Sequence, residues 1–198
     1  MARCDTLEHM RMAYIGLGGN LASWAGEPEA TLTAAATRLQ SLGRMMARSS
    51  LYSTAPVGYA AQPRFVNAVV AIATELEPCD LLDSLLSIER EFGRERKTGL
   101  RNGPRTLDLD ILLWDNQRIR ESGLEIPHPR LTERAFVLAP LSEIAPSLVV
   151  PGHAETVAQQ VDRLRWDARA GGAVVRIESK QWQTSIPAST RLPGWRPG

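Results

Sequence analysis

Two carboxylates one pleat apart are the sharpest chemical signal in the chain. They occur in Arg105-Thr106-Leu107-Asp108-Leu109-Asp110-Ile111-Leu112. In a strand successive side chains alternate faces, so Asp108 and Asp110 share one face while Leu107, Leu109 and Ile111 enter the core. Aspartate is disfavoured in strands, and two such charges repel unless a cation lies between them. Hard oxygen ligands of this kind suit Mg²⁺, which takes one or two carboxylates and fills its shell with water and phosphate oxygens. Two solvated acids on an exposed face are the plain alternative for an isolated pair. The preceding residues weigh against it. Arg94, Arg96, Lys97, Arg101 and Arg105 crowd into one glycine-bounded stretch, opposed inside it only by Glu95. Guanidinium forks bind phosphate bidentately and neutralise charge that develops in phosphoryl transfer. A cationic loop leading into paired acids points to a nucleotide bridged by Mg²⁺. The loop lacks the interleaved aromatic residues that nucleic-acid surfaces use.

Two further groups carry weaker signals. Pro127 and Pro129 hold His128 in a rigid turn, with Arg130 and Arg134 close behind; the imidazole can donate to a phosphate. Thr54, Ala55, Pro56, Val57 and Gly58 form a loop, and Phe65 and Asn67 open the next apolar run. An aromatic face beside an amide suits a planar heterocycle, although Phe65 as core and Asn67 as a strand-end hydrogen bonder would read the same. Gly16-Leu17-Gly18-Gly19-Asn20 is a tight strand-to-loop turn, since Leu21 stands where a dinucleotide fingerprint needs its third glycine.

The elements that must position these groups follow from periodicity. Residues 12–17 read as a strand, and Pro28-Glu29 opens a helix with Leu32, Ala35, Ala36, Leu39 and Leu42 at helical spacing. Residues 45–53 read as a second strand, and 65–76, rich in Val and Ile, as a third paired with it. Pro78 and Asp80 start a helix burying Leu81, Leu85, Ile88 and Phe92 and stopping at Gly93. Residues 106–114 are the fourth strand, with Asp115-Asn116 as its turn. The order β-α-β-β-α-β closes as an antiparallel sheet with two helices on one face, a ferredoxin-like α+β fold. Residues 131–144 add a short helix, 157–166 a helix and 173–177 a strand. The expected division is an N-terminal extension over 1–11, a single domain over 12–178 and a loose tail over 179–198, rich in Pro, Ser, Thr and Gly toward its end.

With 198 residues, 43% hydrophobic and 23% charged, the chain is an ordinary globular domain able to bury a core. Its net charge of +1 names no partner. Apolar runs are too short to span a bilayer, and residues 1–11 hold no apolar signal core. Cys4 and Cys79 lie far apart without metal or redox spacing, which fits a reducing cytoplasm.

Taken in order, these motifs resemble a known family. Tyr14-Ile15-Gly16-Leu17-Gly18-Gly19-Asn20-Leu21, Ser49-Ser50-Leu51-Tyr52-Ser53-Thr54, Phe65-Val66-Asn67-Ala68, Gly103-Pro104-Arg105-Thr106-Leu107-Asp108-Leu109-Asp110, Ile126-Pro127-His128-Pro129 and Pro140-Leu141-Ser142-Glu143-Ile144-Ala145-Pro146 fall as in the 6-hydroxymethyl-7,8-dihydropterin pyrophosphokinases. The resemblance covers residues 12–151. It implies transfer of the β,γ-pyrophosphoryl unit of ATP to the pterin hydroxymethyl oxygen, with release of AMP, in folate biosynthesis. On that resemblance Asp108 and Asp110 hold two Mg²⁺ ions, and Arg94 and Arg105 stabilise the transferring group. Arg96, Lys97, His128 and Arg134 contact ATP, with Glu89 and Ile111 near the nucleotide. Thr54, Ala55, Pro56 and Val57 line the pterin pocket, Asn67 reads the heterocycle edge, and Phe65 and Phe136 sandwich its ring. Loops 55–62 and 94–102 close over substrates and exclude water. The chain departs from the common pattern at Ala55, in place of a proline, and at Asn102, in place of an aromatic residue. The expected partners are ATP and the pterin alone, without nucleic acid or membrane, in a cytoplasmic monomer or weak homodimer. Another Mg²⁺-dependent phosphotransferase, or a non-catalytic nucleic-acid or pteridine binding module, would share the sheet.

Overall fold

β-Branched runs and glycine punctuation set the sheet. The computed structural model describes residues 10–56, 58, 61–95, 103–164 and 174–184. Its elements in order are β1 (Arg11–Gly19), α1 (Pro28–Leu39), β2 (Arg44–Arg48), β3 (Leu51–Thr54), β4 (Phe65–Thr74), α2 (Pro78–Glu91) and β5 (Asp108–Trp114). A small hairpin of β6 (Ile119–Glu121) and β7 (Leu124–Ile126) follows, then α3 (Ala135–Ile144), α4 (Val157–Arg163), β8 (Val175–Ile177) and α5 (Lys180–Thr184). The main sheet runs β5-β1-β4-β3-β8, with β2 also on β4, and every pairing in it is antiparallel. This is the ferredoxin-like α+β arrangement with a further strand added at one edge.

The first helix pair forms as its spacing requires. α1 buries Leu32, Ala35, Ala36 and Leu39, and α2 buries Leu81, Leu85 and Ile88. Both have proline in their first turn, where no N–H is needed. They pack on the face of Ala13, Ile15, Leu17, Ala68, Val70 and Ile72; each fully buried leucine there contributes about 1.5–3 kcal/mol. The expectation of helices on one face is incomplete. α3 and α4 cover part of the opposite face, where Leu138, Leu141 and Val157 meet Tyr14, Val69, Ala71 and Leu112. The β4 alternation therefore has apolar residues on both sides, and Asp108 and Asp110 of β5 lie on the second face beside the part that α3 and α4 cover.

Three expectations are corrected. The single strand over 45–53 is two strands, broken at Ser49-Ser50. The Ser49 hydroxyl accepts from Val69 N–H at 3.0 Å, and Ser50 N–H donates to Glu143, so side chains replace part of the ladder. The reading of a loose tail from 179 does not hold for α5, because Trp182 is only 3% exposed. Arg11, assigned to the N-terminal extension, begins β1 and pairs with Thr74.

Candidate functional site

The register of β5 on β1 explains why two acids share an open trough. Asp108 lies opposite Gly18 and Asp110 opposite Gly16, and Gly18 in turn lies opposite Asn67 of β4. Glycine leaves room between these polar side chains: a Cβ on Gly18 would sit 2.8 Å from the Asn67 amide oxygen. The register slips beyond Ile15, leaving Leu112 as an extra residue in β5. Its carbonyl accepts the N–H of His128 at 2.9 Å, which hangs the Pro127-His128-Pro129 turn beside Asp110. A bulge next to the site thus aims an imidazole at it.

Charge is unevenly balanced across the pair. Asp108 is gripped by Arg94, whose Nη1 donates to its Oδ1, and its Oδ2 lies 2.9 Å from Arg105 Nε. Among the described residues Asp110 has no such clamp; burial, then repulsion from Asp108, push its carboxyl above the ordinary range. His128 is held below its usual value, first by burial, against the opposing pull of Asp110. Its Nδ1 accepts from Arg130 N–H at 3.1 Å, so the neutral ring carries its proton on Nε2 and can donate it to a phosphate. Burial, followed by the charge of Arg130, lowers Arg134.

A cavity of about 490 Å³ runs from this charged end to an apolar one. Thr54, Ala55, Phe65, Asn67, Arg94, Arg105, Asp108, Asp110, His128, Arg134 and Phe136 all border it, so one space joins most of the residues picked from sequence. Asn67 Nδ2 donates to Thr54 Oγ1 at 2.7 Å, which turns the amide oxygen toward Gly18. Both aromatic faces are covered by guanidinium groups: Arg105 sits 4.7 Å from the Phe65 ring centre and Arg134 sits 5.6 Å from that of Phe136. A second cavity of about 500 Å³ adjoins the first, shares Asp110 and His128 with it, and is bounded by Leu82, Ile111 and Leu124.

Some expected residues lie elsewhere. Glu89, placed near the nucleotide by resemblance, is 1% exposed and sits behind the wall. Its Oε1 accepts the Leu109 N–H at 2.8 Å and Arg94 Nη1 at 3.2 Å, so it acts on the site through β5 and Arg94. Pro56 is described but does not border the cavity. Val57, Arg96 and Lys97, together with parts of loops 55–62 and 94–102, lie outside the described residues. The cavity also includes Glu133, Ala135 and Val174, to which the sequence reading assigned no role. Glu133 and Ala135 flank Arg134 and were within reach of the pattern. Val174 falls in the strand read over residues 173–177, but nothing local tied it to the site; the pairing of β8 with β3 brings it there.

An antiparallel sheet ending in paired acids, arginines and an aromatic-lined cavity defines a phosphotransferase that handles a planar substrate. The chain belongs to the 7,8-dihydro-6-hydroxymethylpterin-pyrophosphokinase (HPPK) family, whose model matches residues 14–146. It is similar to the 2-amino-4-hydroxy-6-hydroxymethyldihydropteridine pyrophosphokinase of Pseudomonas aeruginosa, 48% identical over 144 residues, which are 72% of this chain and 85% of the relative. The enzyme of the same name from Methylorubrum extorquens is 44% identical over 157 residues, 78% of this chain and 94% of the relative. In fold it is similar to the wild-type Plasmodium falciparum HPPK-DHPS crystal structure with STZ-DHP, at a TM-score of 0.63 and 15% identity over 78% of this chain. The match spans 43% of that longer protein. Among the described residues no helix is long and apolar enough to cross a membrane.

Proposed function

We propose that this chain transfers the β,γ-pyrophosphoryl group of ATP to the hydroxymethyl oxygen of 6-hydroxymethyl-7,8-dihydropterin. The substrate oxygen bonds to the β-phosphorus, the bond from that phosphorus to the α,β-bridging oxygen breaks, and AMP leaves with that oxygen. The hydroxyl proton is released. The observation that carries this reading is the position of the acid pair: Asp108 and Asp110 both border the aromatic-amide cavity, and Asp110 also borders a second one bounded by Ile111 and Leu82. The pterin fits the first, between Phe65 and Phe136 with its edge on Asn67, and the nucleoside of ATP fits the second.

Phosphoryl transfer needs positioning and charge stabilisation more than a covalent nucleophile. Arg94 and Arg105 border the place where the transferring group must lie. On substrate entry their guanidinium groups exchange Asp108 for phosphate oxygens, and Arg105 leaves the Phe65 ring for the pterin. His128 and Arg134 donate to the triphosphate. The residues fit Mg²⁺: two carboxylates lie one pleat apart, and burial followed by repulsion from Asp108 raises Asp110, a strain that a cation would offset. Asp108 and Asp110 would hold two such ions, which when bound supply positive charge against the triphosphate. Loops 55–62 and 94–102 exclude water, so the group reaches the pterin rather than solvent. The rest of the reading is a cytoplasmic domain over residues 12–178, working as a monomer or weak homodimer on these two substrates, without nucleic acid or membrane.

The test is to incubate the protein and Asp110→Ala with ATP, Mg²⁺ and the pterin, and to identify the nucleotide product. AMP that requires both pterin and Mg²⁺, and that the variant does not make, supports the assignment. ADP in place of AMP, or turnover indifferent to the variant, overturns it.

A further inference from the structure

The matched family region ends at residue 146, yet the structure builds one wall of the cavity from residues beyond it. β8 pairs antiparallel with β3, placing Leu51 opposite Ile177, Tyr52 opposite Arg176 and Ser53 opposite Val175. The next residue on the β3 side is Thr54, whose hydroxyl takes the Asn67 amide. The next on the other side is Val174, which borders the cavity with Phe65, Asn67 and Phe136. α5 then fastens the strand. Trp182 Nε1 donates to Ser49 O at 2.6 Å, and the Arg48 guanidinium carbon lies 3.8 Å from the ring centre. The Nη1 and Nη2 atoms of Arg48 are buried without a hydrogen-bond partner among the described residues, so the indole face is the contact that compensates its charge. Glu143 of α3 completes the tie: it accepts from Ser50 N–H and lies 3.8 Å from Arg176 Nε.

We infer that residues 174–184 form a strap that shapes the pterin end of the site, with Val174 as a specificity-determining wall and Trp182 as a positioning residue. The chain of action is short. Trp182 holds β2 and the Ser49-Ser50 break; β8 holds β3 up to Ser53; β3 fixes Thr54; and Thr54 orients the Asn67 amide that meets the heterocycle edge. The charged end hangs instead on β5, α2 and the His128 turn, none of which the strap pairs with. The strap therefore acts on the pterin and not on the nucleotide.

This rests on the assignment of the pterin to the Phe65, Asn67 and Phe136 end, so the test carries its own control. Full-length wild type, Trp182→Ala, Trp182→Phe, Val174→Ala and Asn67→Ala are compared by KM for pterin, KM for MgATP, kcat and Tm. Trp182→Ala is expected to raise pterin KM about tenfold, the effect of losing roughly one well-placed hydrogen bond to substrate, with MgATP KM within about twofold. Trp182→Phe, which keeps the ring over Arg48, should recover much of that loss. Val174→Ala should raise pterin KM several-fold without lowering Tm. If Asn67→Ala raises pterin KM while the Val174 and Trp182 variants change only Tm, the strap is structural and the inference fails. If Asn67→Ala itself leaves pterin KM unchanged, the site assignment fails and the inference falls with it.

Discussion

Gly18 and Gly19 are neighbours in β1 and face opposite ways, so one methyl group added to each probes different properties. On Gly18 the new Cβ meets the end of the Asn67 side chain at 2.8 Å; on Gly19 it meets the Thr106 carbonyl oxygen at 2.3 Å. A side-chain tip can turn away, whereas a backbone carbonyl can yield only if the segment entering β5 moves. Gly18→Ala is expected to keep its Tm, since lost glycine entropy offsets the local crowding, each by roughly 0.5–1 kcal/mol. It should raise pterin KM about tenfold or more, because the displaced amide no longer presents its oxygen to the trough. Gly19→Ala is expected to lose about 1–3 kcal/mol of stability through overpacking, read by denaturant unfolding. A Gly18→Ala protein with normal pterin KM would remove Asn67 from the recognition site. At this scale the sequence was informative about side chains that do chemistry and silent about the absence of one. The glycine run read as a turn, while its use as the floor between Asn67 and Asp108 depends on the register of three strands.

At the scale of elements, periodicity revealed four strands and two helices because each buries one face over several residues, a local pattern. It missed what depends on a distant partner. Ser49 looked like a strand residue until Val69 and Trp182 were beside it. Trp182 stood in a stretch whose later composition is loose, but a ring of that size over Arg48 outweighs its neighbours. Glu89 shows the same limit. A glutamate on the α2 periphery would be surface, yet one turn faces β5, and there its carboxylate holds Leu109 N–H and Arg94 together. Two substitutions separate these tasks. Glu89→Gln keeps an acceptor for the buried N–H but removes the charge that holds Arg94, so stability should fall by about 1 kcal/mol or less while kcat drops about tenfold or more. Glu89→Ala also strands the N–H and should cost a further 1–3 kcal/mol, roughly. Thermal unfolding with steady-state kinetics measures both. Equal kcat in Gln and wild type would mean that Arg94 needs no help from α2.

For the molecule as a whole, the open part of the second sheet face is where folding and function disagree. Elsewhere that face is closed by α3 and α4; along β5 it exposes two acids in a half-buried trough. Burial and Asp108 raise the folded-state value of Asp110, so the metal-free native protein holds a proton that the unfolded chain has released. Native protein binds more protons than unfolded between the ordinary carboxylate value and the raised one, and stability falls as pH rises through that window. The stability is fully present below the ordinary value and is lost once pH passes the raised one. Asp110→Asn removes this conflict. In the metal-free protein at pH 7 it should be more stable than wild type, by about 2–4 °C in Tm for each 1 kcal/mol relieved. The difference should shrink to nothing as pH falls below the ordinary carboxylate range. Mg²⁺ with a non-hydrolysable ATP analogue should reverse the order, because it binds only the charged form and stabilises the protein that has it. The reversal should strengthen with pH. Thermal scans of both proteins across pH, with and without the ligands, measure it. A variant less stable than wild type at pH 7 without metal would show that Asp110 supports the fold, and that the trough is not held open at the expense of stability.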